Sequence, residues 1–277
     1  MVLSSLREAL GLLRTMPVLW LTGLATGTVC ADELLLYYYG GGFLAGRAAV
    51  LQLVILPFFL AGSLGVIKKG DSSLSAFLSC AREYYFRVLL PLAVILAAAF
   101  LTLFLAMIPA SLLSGEAMAA TSLVVTGVLV PFAFFTSFTD AAAVMEDRKV
   151  FDSIRRSIEF TLQRTGSTLL FYAANILILG AGLFLAAFAW SILLEEQLAP
   201  LTRMNATELA AFTPADLTGL VGAGGIWITA AIAFLLLTCC GTLVVAYRAC
   251  FFRRHTAAAA ATPPQGEYDV KGRWYRY

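Results

Sequence analysis

Long apolar runs separated by short charged knots dominate the chain. Residues 88–113, 117–139, 167–194 and 217–247 contain no Asp, Glu, Lys or Arg, and each exceeds the about 20 residues that a helix rising ~1.5 Å per residue needs to cross a hydrocarbon core. Two more runs lie upstream. Residues 48–67 are charge-free, and residues 17–36 are interrupted only near one end, by Asp32 and Glu33. The pattern predicts an all-α, polytopic integral membrane protein with six transmembrane helices. The amino-terminal MVLSSLREALGLLRT has neither a basic region ahead of an apolar one nor a small-residue cleavage site, so no removable signal peptide is expected.

A second pattern lies between the runs. SSLREALGLLR from Ser4, SSLSAFLSCAR from Ser72 and DSIRRSIEFTLQR from Asp152 each begin with a small polar residue suited to an N-cap. Each continues with an aliphatic pair at i and i+4: Leu6 and Leu10, Leu74 and Leu78, Ile154 and Ile158. Ser5 with Glu8 fits a capping box. Such segments are too polar to cross and are expected to lie along the membrane interface. The six spans then group as three hairpins, each preceded by a short interfacial amphipathic helix. The starts are spaced by 68 and 80 residues, which suggests an internal repeat over residues 1–70, 71–150 and 151–252. LPFF at Leu56 and VPFAFF at Val130 fall at corresponding places in the first two units. Residues 253–277 read as a flexible basic tail.

Composition agrees with a bilayer: 60% of residues are hydrophobic and 13% charged, against roughly 25% charged in soluble domains. Charge placement orients the spans, because Lys and Arg stay on the cytoplasmic side. With both termini inside, the inner segments hold 17 of the 19 basic residues, and only Arg47 and Arg203 fall outside. Seven acidic residues (Asp32, Glu33, Glu116, Glu195, Glu196, Glu208 and Asp216) lie outside. The expected location is the cell membrane, multi-pass, with a basic cytoplasmic rim that includes Lys68, Lys69, Arg148, Lys149, Arg155, Arg156, Arg253 and Arg254.

Polar residues inside the spans are the candidate functional groups. Asp140 sits six residues before Glu146, roughly 9 Å along a helix from the charged border, a depth at which an ionised group needs a partner or water. Arg87, Arg155, Arg156 or the free N–H groups of an entry helix are its expected partners. Glu33 and Arg47 lie equally far from a turn centred on Gly40 and are expected to face one another. Asn175 and Gln52 suit interhelical hydrogen bonds, and Tyr37, Tyr38 and Tyr39 an interfacial aromatic belt. GxxxG occurs twice, at Gly23 and Gly27 and at Gly42 and Gly46. The five cysteines form no CxxC pair and the chain has one histidine, His255, so neither a disulfide framework nor a metal or cofactor site is expected.

Two helix-start signals mark the outer loop: Asn205 with Glu208, and Thr213-Pro214-Ala215-Asp216. Asn205-Ala206-Thr207 matches a glycosylation sequon. The end of the tail, KGRWYRY, suits either anionic headgroups or a partner protein.

The block FTDAAAVMEDRKVFDSIRRSIEFTLQR, residues 138–164, resembles a large group of uncharacterised prokaryotic, especially archaeal, polytopic membrane proteins. That group is related to the membrane domain found beside some glycerophosphoryl diester phosphodiesterases. The matching positions are Asp140, Val144, Glu146, Asp147, Ser153, Ile154 and Ser157. The resemblance implies a membrane domain without the soluble catalytic one, so no catalytic residue is carried over.

Three function classes follow. A noncatalytic scaffold or complex subunit, binding membrane lipids, a protein partner or a second copy through its basic face, best fits the repeat and the rim. A transporter or channel for a small solute or ion is the alternative, supported by Pro57, Pro131 and Asp140 within spans. An intramembrane enzyme is disfavoured: His255 has no HExxH context, and Ser63 in AGSLG has no histidine beside it as a base. No nucleic-acid partner is expected.

Overall fold

A straight α-helix of 50 residues would extend ~75 Å, more than twice the hydrocarbon thickness of a bilayer. The second helix of this chain, α2 (Trp20–Lys69), has that length but is bent at Gly41, where the backbone leaves the helical region (φ 74, ψ 168). Glycine enters that region without a Cβ penalty. The two halves lie side by side. Thr22 Oγ1 donates to the Phe59 carbonyl at 2.8 Å and shares a 2.6 Å hydrogen bond with Ser63 Oγ. Nearer the bend, Gln52 Nε2 donates to the Val29 carbonyl at 3.4 Å.

The structure is a computed structural model that describes residues 2–113, 117–205, 208, 211–261, 266–268 and 274–276. Before α2 come α1 (Val2–Thr15) and a 3₁₀ turn at Pro17–Leu19; after it come α3 (Leu74–Leu113), α4 (Ala117–Thr136), α5 (Thr139–Met145), α6 (Val150–Gln163), α7 (Thr165–Leu193) and α8 (Glu195–Leu198). A 3₁₀ turn at Ala199–Arg203 precedes α9 (Pro214–Ala261), and a two-stranded antiparallel ribbon pairs β1 (Gly266–Tyr268) with β2 (Trp274–Arg276). Among the described residues five helical stretches are long and apolar enough to cross a membrane: Pro17–Lys69, Leu74–Ile108, Ser122–Met145, Thr165–Leu193 and Ala215–Ala257. Outside the short ribbon the described residues are almost entirely helical, as the sequence led us to expect, but the apolar stretches number five rather than six, because both halves of α2 fall in one uninterrupted stretch.

The amphipathic segments depart from expectation in several ways. α1 and α6 are separate helices, but the middle segment runs without a break into α3. No proline or glycine separates Leu74 from Leu90, so nothing local stops the helix. Ser5 is not the helix cap, because α1 already begins at Val2; it is buried inside the helix, and Glu8 pairs with Arg253. The third segment starts at Val150 rather than Asp152, with Asp152 in its first turn. The cap of α3 is Ser73, whose Oγ accepts from the Ala76 N–H at 3.1 Å. Facing also differs from a simple oily stripe. α6 buries Ser153, Ser157, Phe160 and Thr161 and exposes Phe151 and Leu162.

Packing is concentrated at one end. One buried cluster joins Met16, Leu19, Leu64, Val66, Phe77 and Tyr84, and a second joins Phe138, Phe160, Phe171, Tyr247, Phe251 and Phe252. Phe138 centres the second, with ring centroids of Phe160, Phe171 and Phe251 at 4.9, 5.4 and 5.7 Å. α2 meets α9 along Gly23 and Gly27, where a Cβ would run into Thr242, Thr238 and the carbonyls of Thr238 and Phe234. This GxxxG is therefore a close helix contact within the chain, whereas Gly42 and Gly46 face open space or ordinary contact. Away from this end the helices leave their apolar faces uncovered, as at Phe100, Leu123, Ile176, Leu177 and Phe184. The boundary expected at residue 253 falls inside α9, where Phe252 and His255 are buried.

Candidate functional site

Six residues after Pro131 the chain stops being helical at Ser137 and Phe138, and α5 restarts at Thr139. Such a break frees backbone groups, which at membrane depth must find protein partners. Three other helices supply them. Ser157 of α6 donates to the Phe135 carbonyl at 2.7 Å and accepts from the Phe138 N–H at 3.1 Å. The Tyr172 hydroxyl of α7 lies 2.5 Å from Ser137 Oγ and 3.2 Å from the Ala133 carbonyl. Arg248 of α9 donates through one terminal nitrogen to the Ser137 carbonyl at 3.2 Å.

Arg248 also forms an ion pair with Asp140, both groups being largely buried, with side chains 19% and 11% exposed. This corrects the expected partners. Arg156 instead pairs with Glu146 at 3.0 Å, Arg155 with Glu159 at 2.7 Å and Arg87 with Asp147 at 2.6 Å. Arg248 was missed because it lies 108 positions from Asp140. A signal existed: each is the first charge after a long apolar run, residues 117–139 and 217–247.

Asp147 forms a second node, on the short link between α5 and α6. Its backbone is left-handed (φ 54), unusual for a residue with a side chain. Lys68, at the end of α2, donates to Asp147 at 2.5 Å and to the Val144 carbonyl at 2.8 Å. Arg87 of α3 binds the other carboxylate oxygen. The hydrogen bond from Lys68, aided by the charges of Lys68 and Arg87, holds the Asp147 carboxyl below its ordinary pKa. One carboxylate thus ties α2 and α3 to the α5–α6 link.

Most of the basic rim is likewise paired. Lys69 pairs with Glu83 at 2.8 Å, Arg148 with Glu146 at 3.2 Å and Arg253 with Glu8 at 2.5 Å. Lys149 and Arg254 carry no ion pair among the described residues.

The remaining candidates stand apart from these nodes. Glu33 and Arg47 form no ion pair among the described residues; the Arg47 guanidinium stacks over Phe43, 4.1 Å from the ring centroid. A cation on an aromatic face needs no carboxylate to hold it. Asn175 is buried and donates within its own helix to the Phe171 carbonyl at 2.8 Å. At the far end Tyr39 lies 6.5 Å from Trp227, and Trp190 Nε1 donates to Thr229 at 2.8 Å. Both capping boxes expected between residues 195 and 216 form: the Glu208 N–H donates to Asn205 Oδ1 at 2.9 Å, and Asp216 accepts from the Thr213 N–H at 2.8 Å. Glu116, residues 206–207 of the sequon and much of the terminal KGRWYRY lie outside the described residues. All five cysteines are free thiols. Among the described residues no group of three or more His, Cys, Asp or Glu is placed to hold a metal ion.

A cavity of about 300 Å³ opens beside Asp140 and Arg248 between α2, α3 and α4.

Long apolar helices, joined at one end by ion pairs and a stitched helix break, make a helical protein with five stretches able to cross a membrane. The chain belongs to the family described as Domain of unknown function (DUF7847), whose pattern matches residues 1–255. No curated protein and no solved structure shows a significant match to it.

Proposed function

We propose that this is a noncatalytic multi-pass membrane protein acting as a scaffold or complex subunit, with its basic end at the cytoplasmic face binding lipid or a partner. In this reading α2 crosses twice as a hairpin bent at Gly41, α3 with α4 and α7 with α9 form two more, and both termini lie inside. Each half of α2 spans roughly 30–40 Å at ~1.5 Å per residue, enough for one hydrocarbon core. Tyr37, Tyr38, Tyr39, Trp190 and Trp227 then sit at the outer interface, where amphipathic rings are favoured. The resemblance of residues 138–164 to uncharacterised prokaryotic polytopic membrane proteins fits the same role.

The observation that carries the reading is the contrast between the two ends. Charged groups at the basic end tie α1, α2, α3, α5, α6 and α9 to one another, while the apolar faces of α3, α4 and α7 are left uncovered. A body of this shape offers surfaces to lipids and to membrane partners. Blue-native electrophoresis and native mass spectrometry of gently extracted protein test it. Retained lipid or a defined assembly is expected; a lipid-free monomer under all mild conditions contradicts it.

A transporter is the second reading, favoured by the broken α4–α5 segment beside a buried carboxylate. Proteoliposomes with a potassium diffusion potential and a pH-sensitive dye test the proton case. Proton flux that disappears in Asp140→Asn favours transport, and the absence of flux removes Asp140 as a proton-coupling group.

A further inference from the structure

We propose that the cavity shared by Arg87, Arg148 and Lys149 is a headgroup site for an anionic phospholipid whose acyl chains lie along the exposed apolar face of α3. The proposal rests on the basic-face reading and adds to it a place and a class of lipid.

The link between α5 and α6 turns through the left-handed Asp147 and brings Arg148 and Lys149 beside Arg87 of α3. Together with Phe86, Leu90 and Val150 they line a cavity of about 410 Å³, to which Asp147 also contributes. Carboxylates are outnumbered here. Asp147 is shared by Lys68 and Arg87, and Glu146 by Arg148 and Arg156, while Lys149 has no ion pair among the described residues. Five cations thus meet two carboxylates. Counting Asp152, in the first turn of α6, still leaves a surplus of two positive charges.

The donors are open as well as charged. Arg87 uses Nη1 on Asp147, and Arg148 uses Nε on Glu146. Among the described residues neither guanidinium donates any other hydrogen bond, and Lys149 Nζ donates none. All three side chains belong to exposed residues. Guanidinium forks with an ammonium beside them match the oxygens of a phosphate.

The apolar surroundings favour a lipid over a free phosphate or an acidic protein segment. Phe86, Leu90, Leu101 and Phe104 are exposed and fall on one face of α3 at helical spacing. That strip runs about 27 Å at ~1.5 Å per residue, and it starts at the cations, since Phe86 and Leu90 line the cavity. An occupant with an anionic head and a hydrocarbon body fits both parts, as an anionic phospholipid at a basic membrane border does.

Native mass spectrometry of the full chain in detergent, titrated with phosphatidylglycerol or with phosphatidylcholine of the same acyl chains, tests the site. Phosphatidylglycerol is expected to bind the more tightly. Lys149→Gln, which breaks no ion pair, is expected to weaken that binding roughly fivefold, and the double variant Arg148→Gln/Lys149→Gln roughly tenfold to thirtyfold. Arg254→Gln removes an equally unpaired cation from α9 and is the control that leaves phosphatidylglycerol binding unchanged. Unchanged melting temperature of Lys149→Gln shows that its loss of binding is not a loss of fold. Excess inorganic phosphate is expected not to displace the lipid; displacement would give the cations to a free phosphate and overturn the proposal. Equal affinity for the two lipids, or equal losses in Lys149→Gln and Arg254→Gln, overturns the site while the broader basic-face reading stands. Binding of neither lipid overturns the site and leaves that reading only a protein partner.

Discussion

Asp140 and Arg248, 108 positions apart, form a largely buried ion pair that joins the restart of a broken helix to the last long helix. A buried pair of this kind adds little net stability over a well-packed apolar pair, because desolvation offsets attraction. Removing one partner alone is costly, since it strands the other charge. Asp140→Leu and Arg248→Met are each expected to cost about 3–5 kcal/mol, and the double variant to recover most of that loss. Thermal unfolding in detergent, followed by loss of the monodisperse gel-filtration peak, measures the cycle; strictly additive losses would contradict the pairing.

Ser157 holds both sides of the α4–α5 break, donating to Phe135 and accepting from Phe138. Ser157→Ala leaves those two buried backbone groups without their partner, at an expected cost of about 1–3 kcal/mol. Ser153→Ala, on the same helix, removes only a hydroxyl bonded to the Val150 carbonyl of its own first turn and is expected to cost less. The difference in melting temperature between the two variants is the readout.

Gly23 and Gly27 allow α2 to approach α9, so a large side chain at either forces the two helices apart. Gly27→Leu is expected to destabilise by about 1–3 kcal/mol or more, as overpacking does. Gly46→Leu, where nothing lies near a Cβ, is expected to be close to neutral. Comparable losses at both positions would contradict the α2–α9 contact.

Acid stability reports on Asp147. Its carboxyl is held low chiefly by the hydrogen bond from Lys68, so its contribution is fully present above the ordinary carboxyl pKa of about 3.9 and is lost as pH falls through the lower folded value. Asp147→Asn is therefore expected to be less stable than wild type at neutral pH and to lose less on acidification below about pH 4. The carboxylate is 55% exposed, so the effect is moderated by water and shrinks at high salt. Melting temperatures across pH 2–7 for the two proteins provide the comparison.

Much of the architecture was written in periodicity and charge. The apolar runs became long helices, and the glycines at the YYYGGG tip became the bend in α2 because one of them, Gly41, adopts a left-handed backbone. Local rules failed where a neighbouring choice overrode them. Ser5 and Glu8 have the spacing of a capping box, but α1 begins upstream of them. Two GxxxG motifs of the same form met different fates, because only packing against Thr238 and Thr242 distinguishes Gly23 and Gly27 from Gly42 and Gly46. Glu33 and Arg47 were matched by depth, but depth says nothing of rotation about the helix axis, and Arg47 stacks on Phe43. The candidate site was half legible: Asp140 was visible as a misplaced charge, whereas its partner and the cavity beside it depend on how distant helices assemble.

Cysteine accessibility in intact cells tests the six-crossing arrangement most directly. In a variant with the five native cysteines replaced, a membrane-impermeant maleimide is expected to label Tyr39→Cys and Gly219→Cys in intact cells, and to label Gly70→Cys and Lys149→Cys only after the membrane is opened. Labelling of position 70 or 149 from outside intact cells, with positions 39 and 219 protected, would contradict the account.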